Sequence, residues 1–573
     1  MLGLMLASAF TEVVSLGAVL PFLGVLIAPE KVLNYPGVAG IAQAWGITSA
    51  PDLVLPLTVV FSVAALAAGT IRLLLLWVNN RLAYATGADL SIEVYRRTLY
   101  QPYRVHVARN SSTVISGIIQ KVGHVPSVLL SLLNLVSSVV MIVAIMLALL
   151  AIDSMVATVA AIGFGASYGL ITLLSRQRLE RNSQRIARES TQLIKALQEG
   201  LGGIRDVLLD GTQSLYCDIY RESQLALMWR QAGNQFIGSS PRYAMEVLGM
   251  VLIAALAYGR SRQAEGIASA LPVLGALALG AQRMLPALQQ IYGAWASIVG
   301  SRASLADALE LLDQPLPAEV YQSAPAPLPF QDAIRFDAVR FRYNSDGPWV
   351  LDGLNLTIPK GARVGFVGST GSGKSTTLDL LMGLLEPTHG QILVDGQPIT
   401  GERQRAWQQT IAHVPQSIYL ADTTLAENIA FGVPREAIDL DRVRQTARQA
   451  QIADFIESQP EGYHAFVGER GIRLSGGQRQ RIGIARALYK QASVLVFDEA
   501  TSALDNATEQ TVMDAIESFS RDLTILLIAH RFTTVQRCDT IIQIEHGQLV
   551  AQGSYAQLLE HSSSFRRMAR AVA

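Results

Sequence analysis

Two short stretches of the chain carry residue types able to bind and cut a phosphoanhydride. The first is GSTGSGKS, made of Gly368, Ser369, Thr370, Gly371, Ser372, Gly373, Lys374 and Ser375. Glycines here let the backbone close into a nest of N–H donors, and a following helix aims its positive end at the same point. Lys374 then reaches the β- and γ-phosphates, and the Ser375 hydroxyl serves Mg²⁺. The second stretch is VLVFDE, an apolar run ending on Asp498 and Glu499. Adjacent carboxylates at the end of a buried strand are costly unless a cation or a proton transfer uses them. Asp498 suits a hold on Mg²⁺, and Glu499 suits polarising an attacking water as a general base.

These side chains need elements to place them. Arg363 to Val367 reads as a strand directly before the glycine loop, and TTLDLLMGLL, from Thr376, reads as a helix directly after it. That is the context a phosphate-binding loop requires. Short Val/Ile/Leu-rich strands alternate with helical segments across residues 331–573, which predicts an α/β domain with a largely parallel sheet. Residues 313–330 hold five prolines and little periodicity. They read as a semi-rigid linker.

Residues 1–312 have a different character. Half of the 573 residues are hydrophobic and 16% are charged, with mean hydropathy +0.30, and the charges crowd into the C-terminal part. A membrane half and a soluble half follow. Leu53 to Ile71, Val125 to Ile152 and Ser154 to Ser175 are charge-free and long enough to cross a bilayer. Met1 to Pro29, Gly238 to Gly259 and Gly266 to Ser301 are apolar with isolated charges, giving six helices, with breaks near 30–52, 80–124, 153, 176–237 and 260–265. Two long breaks are helical in pattern and basic, with Arg96, Arg97, Arg104 and Arg109 in one and Arg176, Arg178, Arg181, Arg185 and Arg188 in the other. They read as cytoplasmic by the positive-inside rule, whereas Arg260 and Arg262 fit the outside less well. A secretory signal is rejected, because no basic region precedes the first apolar run and no small-residue cleavage site follows it before Pro29. The chain starts almost inside its first helix, so either the start is truncated or a leading cytoplasmic segment is lacking. Zero net charge gives no global field to attract nucleic acid. Cys217 and Cys538 lie far apart in sequence and in different predicted domains, with no partner at a metal-ligand spacing, so neither a disulfide nor a zinc site is expected.

LSGGQ, Leu474 to Gln478, followed by RQRIGIARAL, resembles the signature of ATP-binding cassette proteins. The rest of that cassette is similar in order and spacing: Tyr343 in VRFRY, Gln416 in VPQ, GERG at Gly468 to Gly471, SALD at Ser502 to Asp505, and His530 in IAH. The six-helix half is similar in layout to the bacterial exporter branch. The resemblance implies ATP and Mg²⁺ as cofactors, with Tyr343 stacking on adenine, Gln416 sensing Mg²⁺ and the water, and His530 contacting the γ-phosphate. Thr376 and Asp505 join the nucleotide-binding set. One cassette per chain implies a homodimer in which Ser475, Gly476, Gly477 and Gln478 of one chain face the phosphate loop of the other. Helical turns near Gln101 to Ala108 and Gly211 to Cys217 would transmit closure of the cassettes to the membrane helices.

The substrate reading rests on Arg72, Arg242 and Arg283, each inside an apolar span, with Glu12 and Glu246 as partners or bystanders. An intramembrane charge faces a cavity or pairs with another charge. One reading is structural, a helix-locking Arg–Glu pair or an arginine snorkelling to an interface, and the other is a basic lining for a phosphate-bearing substrate. TEVVSLGAVLPF, SPRYAME and QRMLPALQQI are similar to bacterial flippases of lipid-linked oligosaccharides, and Pro29 to Ile47, with Tyr35 and Trp45, would match their short external helix. An undecaprenyl-pyrophosphate oligosaccharide is therefore the expected cargo. A peptide, protein, drug or lipid A exporter shares every cassette motif and stays open, and a non-transporting ATPase acting on DNA or ribosomes would lack the spans.

Overall fold

The computed structural model describes residues 3–11, 14, 54–152, 154–261, 284–498, 522–528 and 535–572. Contacts divide the chain into two units, Met1–Gln101 with Arg109–Leu316, and Pro102–Ala108 with Pro317–Ala573.

The first unit is helical. α1 (Val54–Leu99) ends shortly before Pro102, which has no N–H for a helix to use. A six-residue helix, α2 (Tyr103–Ala108), follows and groups with the second unit. α3 (Val125–Ile152) has the bounds that composition predicts, and α4 (Ser154–Gly202) follows it. α5 (Gln213–Ser239) and α6 (Pro241–Ser261) come next. Residues 284–300 are helical (α7), and α8 (Arg302–Leu312) leads to the prolines. α1 and α4 run well past their charge-free stretches into segments 80–124 and 176–237, which are helical as their pattern implies, with short helices at Ser111–Ser116 and Ile204–Leu209 beyond. The reason is that a helix stops where its backbone is interrupted, at Pro102 or at Gly202–Gly203, whereas hydropathy marks only where solvent changes.

Among the described residues, Val54–Leu99 and the helical run Ser111–Leu147 are long and apolar enough to cross a membrane. Leu55, Val59, Val63, Leu66, Leu73 and Trp77 are exposed along α1. Such a surface is a liability in water and fits hydrocarbon. The unit's core gathers Phe164 and Leu179 of α4, Met245 of α6, and Met284 and Tyr292 of α7.

The second unit contains two sheets. β1 (Ala333–Phe341), β2 (Leu351–Pro359), β4 (His389–Val394) and the two-residue β5 (Gln397–Pro398) make an antiparallel sheet in the order β2-β1-β4-β5. A six-stranded sheet runs β10-β9-β3-β8-β7-β6, with β3 (Arg363–Val367) between β9 (Thr540–Glu545) and β8 (Thr524–Ile528). β7 (Val494–Asp498) pairs in parallel with β8 and with β6 (Ile411–Val414), and only β10 (Gln548–Gly553) is antiparallel. Strands buried on both faces read as unbroken apolar runs. In β7, Val494 and Val496 face the core shared with the antiparallel sheet, while Leu495 and Phe497 face the helices. The antiparallel layer had no separate signature in the sequence, because alternation with helices dominates the pattern around it.

Candidate nucleotide site

β3 ends on Val367, and its parallel pairing with β8 and β9 fixes where the glycine loop begins. Gly368, Gly371 and Gly373 have φ of 152°, 79° and 103°. A Cβ on Gly368 would lie 2.1 Å from the Ile544 carbonyl oxygen, and one on Gly373 would lie 2.7 Å from Leu351 Cδ2. Backbone therefore passes where no side chain fits. α9 (Lys374–Leu381) starts on the loop, and buried Lys374 folds back so that Nζ donates to the carbonyls of Gly368 and Ser369, both at 2.9 Å. The ammonium thus sits inside the loop. Ser372 Oγ is buried with no hydrogen-bond partner among the described residues, a group that an arriving phosphate could satisfy. Ser369, Thr370, Gly371 and Ser375 are exposed. The orphan hydroxyl, the side-chain-free cradle and the enclosed ammonium all fit a polyphosphate with its Mg²⁺.

Tyr343 packs edge-on against Phe341, with centroids 5.0 Å apart, and its hydroxyl lies 3.3 Å from Thr376 Oγ1 on α9. Asp498 closes β7, two strands from the loop, since β8 lies between β7 and β3. Asp379, one helical turn beyond Ser375, is a carboxylate that the motif reading left aside. Burial, reinforced by the charge on Asp498, pushes it up to about 6. The i, i+4 spacing from Ser375 was the available signal. Gln416 is exposed just beyond β6. Glu499, Ser502, Asp505 and His530 lie outside the described residues.

The signature forms a helix start. Ser475 caps α10 (Gly476–Tyr489), its Oγ accepting from Gln478 N at 3.2 Å while Gln478 Oε1 accepts from Ser475 N at 2.8 Å. This capping box orders the first turn and directs the N–H groups of a 14-residue helix outward beside Gly476 and Gly477. Further along α10, Arg486 donates to the carbonyls of Asn428 and Tyr419, both at 2.9 Å, and to Asn428 Oδ1 at 3.2 Å. Burial pushes Arg486 down to about 10. It ties the segment after Gln416 to the signature helix.

Arg104 of α2 donates from Nη2 to the Tyr343 carbonyl. In the helical unit, Arg242 pairs with Glu246 at 2.9 Å, one turn along α6. Arg72 is exposed on α1, and Arg283 and Glu12 lie outside the described residues. Arg242 and Glu246 thus pair within one helix, and this contact locks no two helices together. Cys217 is exposed and Cys538 buried.

The family model described as ABC transporter matches residues 351–502. An ATP-dependent lipid A-core flippase of Chromohalobacter salexigens is 30% identical over 90% of this chain and 88% of that protein. A protein of the same name from Ralstonia nicotianae is 30% identical over 99% of this chain and 94% of its own length. A leukotoxin translocation ATP-binding protein of Mannheimia glucosida is 42% identical over 43% of this chain and 35% of that protein. The solved structure of a bacterial Atm1-family ABC exporter with ATP bound superposes with TM-score 0.81 at 27% identity, covering 99% of this chain and 98% of that one.

Proposed function

Because the chain belongs to the ABC transporter family, with the exporter arrangement of one helical transmembrane domain and one ATP-hydrolysing cassette, we propose that two copies form a flippase for an anionic lipid-anchored saccharide of the lipid A-core class. ATP hydrolysis coupled to transport is common ground for the family and its full-length relatives. The observation that carries the nucleotide chemistry is the glycine loop that closes around Lys374.

The loop N–H groups, Lys374 and the start of α9 would bind the β- and γ-phosphates, and Tyr343 would orient the base. Ser375, Gln416 and Asp498 would hold Mg²⁺, which when bound neutralises charge on the phosphates. Glu499 would accept a proton from the attacking water, and His530 would fix the γ-phosphate. Asp505 joins the nucleotide-binding set. Ser475, Gly476, Gly477 and Gln478 would come from the partner copy, because a single cassette carries one loop and one signature and they belong to opposite faces of a shared site. The localisation that follows is a bacterial inner membrane, with the cassettes on the cytoplasmic side.

For the substrate, the relatives that align along most of the chain favour the lipid A alternative over the undecaprenyl-pyrophosphate oligosaccharide. The toxin-exporter match covers less than half of the chain, where all such ATPases are alike, and says little about cargo. Both lipid classes join acyl or prenyl chains to a phosphate-bearing sugar, so a basic patch suits either. Reconstitution into proteoliposomes separates them. Lipid A-core glycolipid should be flipped in an ATP-dependent manner and should stimulate ATPase, polyprenyl-pyrophosphate glycan should do so less, and Glu499→Gln should abolish flipping while ATP still binds. Flipping of the polyprenyl glycan alone would overturn the substrate assignment.

A further inference from the structure

The chain passes between its two contact-defined units after Gln101, after Ala108 and after Leu316. On the helical side, the first and last of these crossings are fastened to each other. Arg97, in the last turn of α1, donates from Nη1 to the carbonyls of Leu312 at 2.5 Å and Gln314 at 3.0 Å, while its Nε donates to Glu93 at 2.7 Å. Gln101, buried at 9% exposure, donates from Nε2 to its own helix at Arg97 O, 2.9 Å, and to Pro315 O at 3.0 Å.

The acceptors are groups that need a donor. Leu312 ends α8, where the last carbonyls of a helix have no intrahelical N–H, and Pro315 and Pro317 prevent the next turn from supplying one. A cation at that end also suits the helix dipole. Nothing in this requires Arg: a water or any donor would satisfy one carbonyl. The planar guanidinium can hold two carbonyls and the Glu93 carboxylate at once, which fixes the angle between α1 and the departing linker.

We propose that Arg97 and Gln101 are positioning residues that join the root of α2 and the root of the linker into one mechanical joint, so that nucleotide-driven movement of the linker is delivered to α1. A linker held only by its covalent bonds, however stiff its prolines make it, would pivot at its junction with α8 and dissipate the same movement. α2 then works as the far arm of that joint, since Arg104 holds the carbonyl of Tyr343, whose hydroxyl reaches Thr376 in the first turn of α9. The proposal rests on the exporter reading and is independent of which lipid is carried.

The test uses the full chain in lipid nanodiscs, followed by hydrogen exchange with and without Mg·ATP and vanadate. In the parent, protection should change in the cassette and in residues 54–99 and 125–202. In Arg97→Ala, Gln101→Ala and the double variant, basal ATPase and cassette protection should persist, while the response of the helical peptides falls by about fivefold or more. Arg97→Lys keeps the charge but not the fork, and should fall between parent and Ala. Should the double variant fold poorly, Gln101→Ala and Arg97→Lys carry the comparison. Rescue comes from Q101C/P315C closed by a short bis-maleimide in a C217S background, where the helical response should return. A helical response equal to the parent's in the Ala variants would overturn the joint, as would loss of melting temperature and ATPase with the response per folded molecule intact. A parent with no helical response at all would instead overturn the exporter reading, and the joint with it.

Discussion

Gly368 is the residue at which nucleotide binding is most sensitive to a single carbon atom. Its φ is 152° and a Cβ would stand 2.1 Å from Ile544 O, so Gly368→Ala must displace either the loop or β9. We expect ATPase to fall by about a hundredfold or more, mostly as a raised KM for ATP with the cassette still folded; unchanged KM would mean the cradle has slack. This requirement was legible because a backbone that admits no side chain must be written as glycine. Arg104 was not, since its acceptor lies 239 residues away and nothing in YRVHVA announces it. His413 on β6 is a residue that the motifs pass over. Burial holds it down at about 4 against an ordinary value of 6.5. A depressed histidine contributes stability above the unfolded pKa and loses it as pH falls toward the folded one, because only the unfolded chain takes the proton. The parent should therefore lose on the order of 3 kcal/mol between about pH 6.5 and pH 4 through this group. His413→Phe should flatten that part of the melting-temperature profile, and an unchanged profile would place the loss elsewhere.

The first turn of α10 has two jobs that mutation can separate. Gln478 closes the capping box through its side chain, but the Ser475 hydroxyl keeps a proton free to donate while its oxygen accepts from Gln478 N. Gln478→Ala should cost about 0.5–1 kcal/mol of stability and leave the Ser475 cap in place. Ser475→Ala should cost about 1 kcal/mol and, in addition, lose a phosphate donor, so hydrolysis should fall further than melting temperature predicts. Turnover of Ser475→Ala that falls no further than its melting temperature predicts would reduce Ser475 to a cap. The LSGGQ motif marked where this element lies, whereas its capping box is a finding of the structure. Long helices were readable in type but not in length: α1 continues to Leu99 although its charge-free stretch stops at Ile71. The antiparallel sheet β2-β1-β4-β5 was unreadable, since pairing Ile334 with both Ile358 and Val394 brings together strands that are separated in the chain by β3, the loop and α9.

In the proposed dimer, each cassette is half of two sites. Loop and signature are carried by one chain, with Lys374 opening α9 and Ser475 capping α10. The shared-site model has a consequence that a single-chain site cannot imitate. Lys374→Ala removes the ammonium inside the loop, and Ser475→Arg fills the face of the signature, so either homodimer has a lesion in each of its sites. In a dimer with one lesion per chain, a shared arrangement brings both lesions into the same site and leaves the other intact. Activity should therefore rise on mixing, with purified mixed dimers reaching up to about half of the parent's turnover, less if the two sites fire alternately. If each chain instead used its own loop and signature, the mixed dimer would contain no intact site and mixing would restore nothing. Differently tagged chains, co-expressed and isolated by two affinity steps, give the species cleanly. ATPase then reads the outcome without any knowledge of the transported lipid.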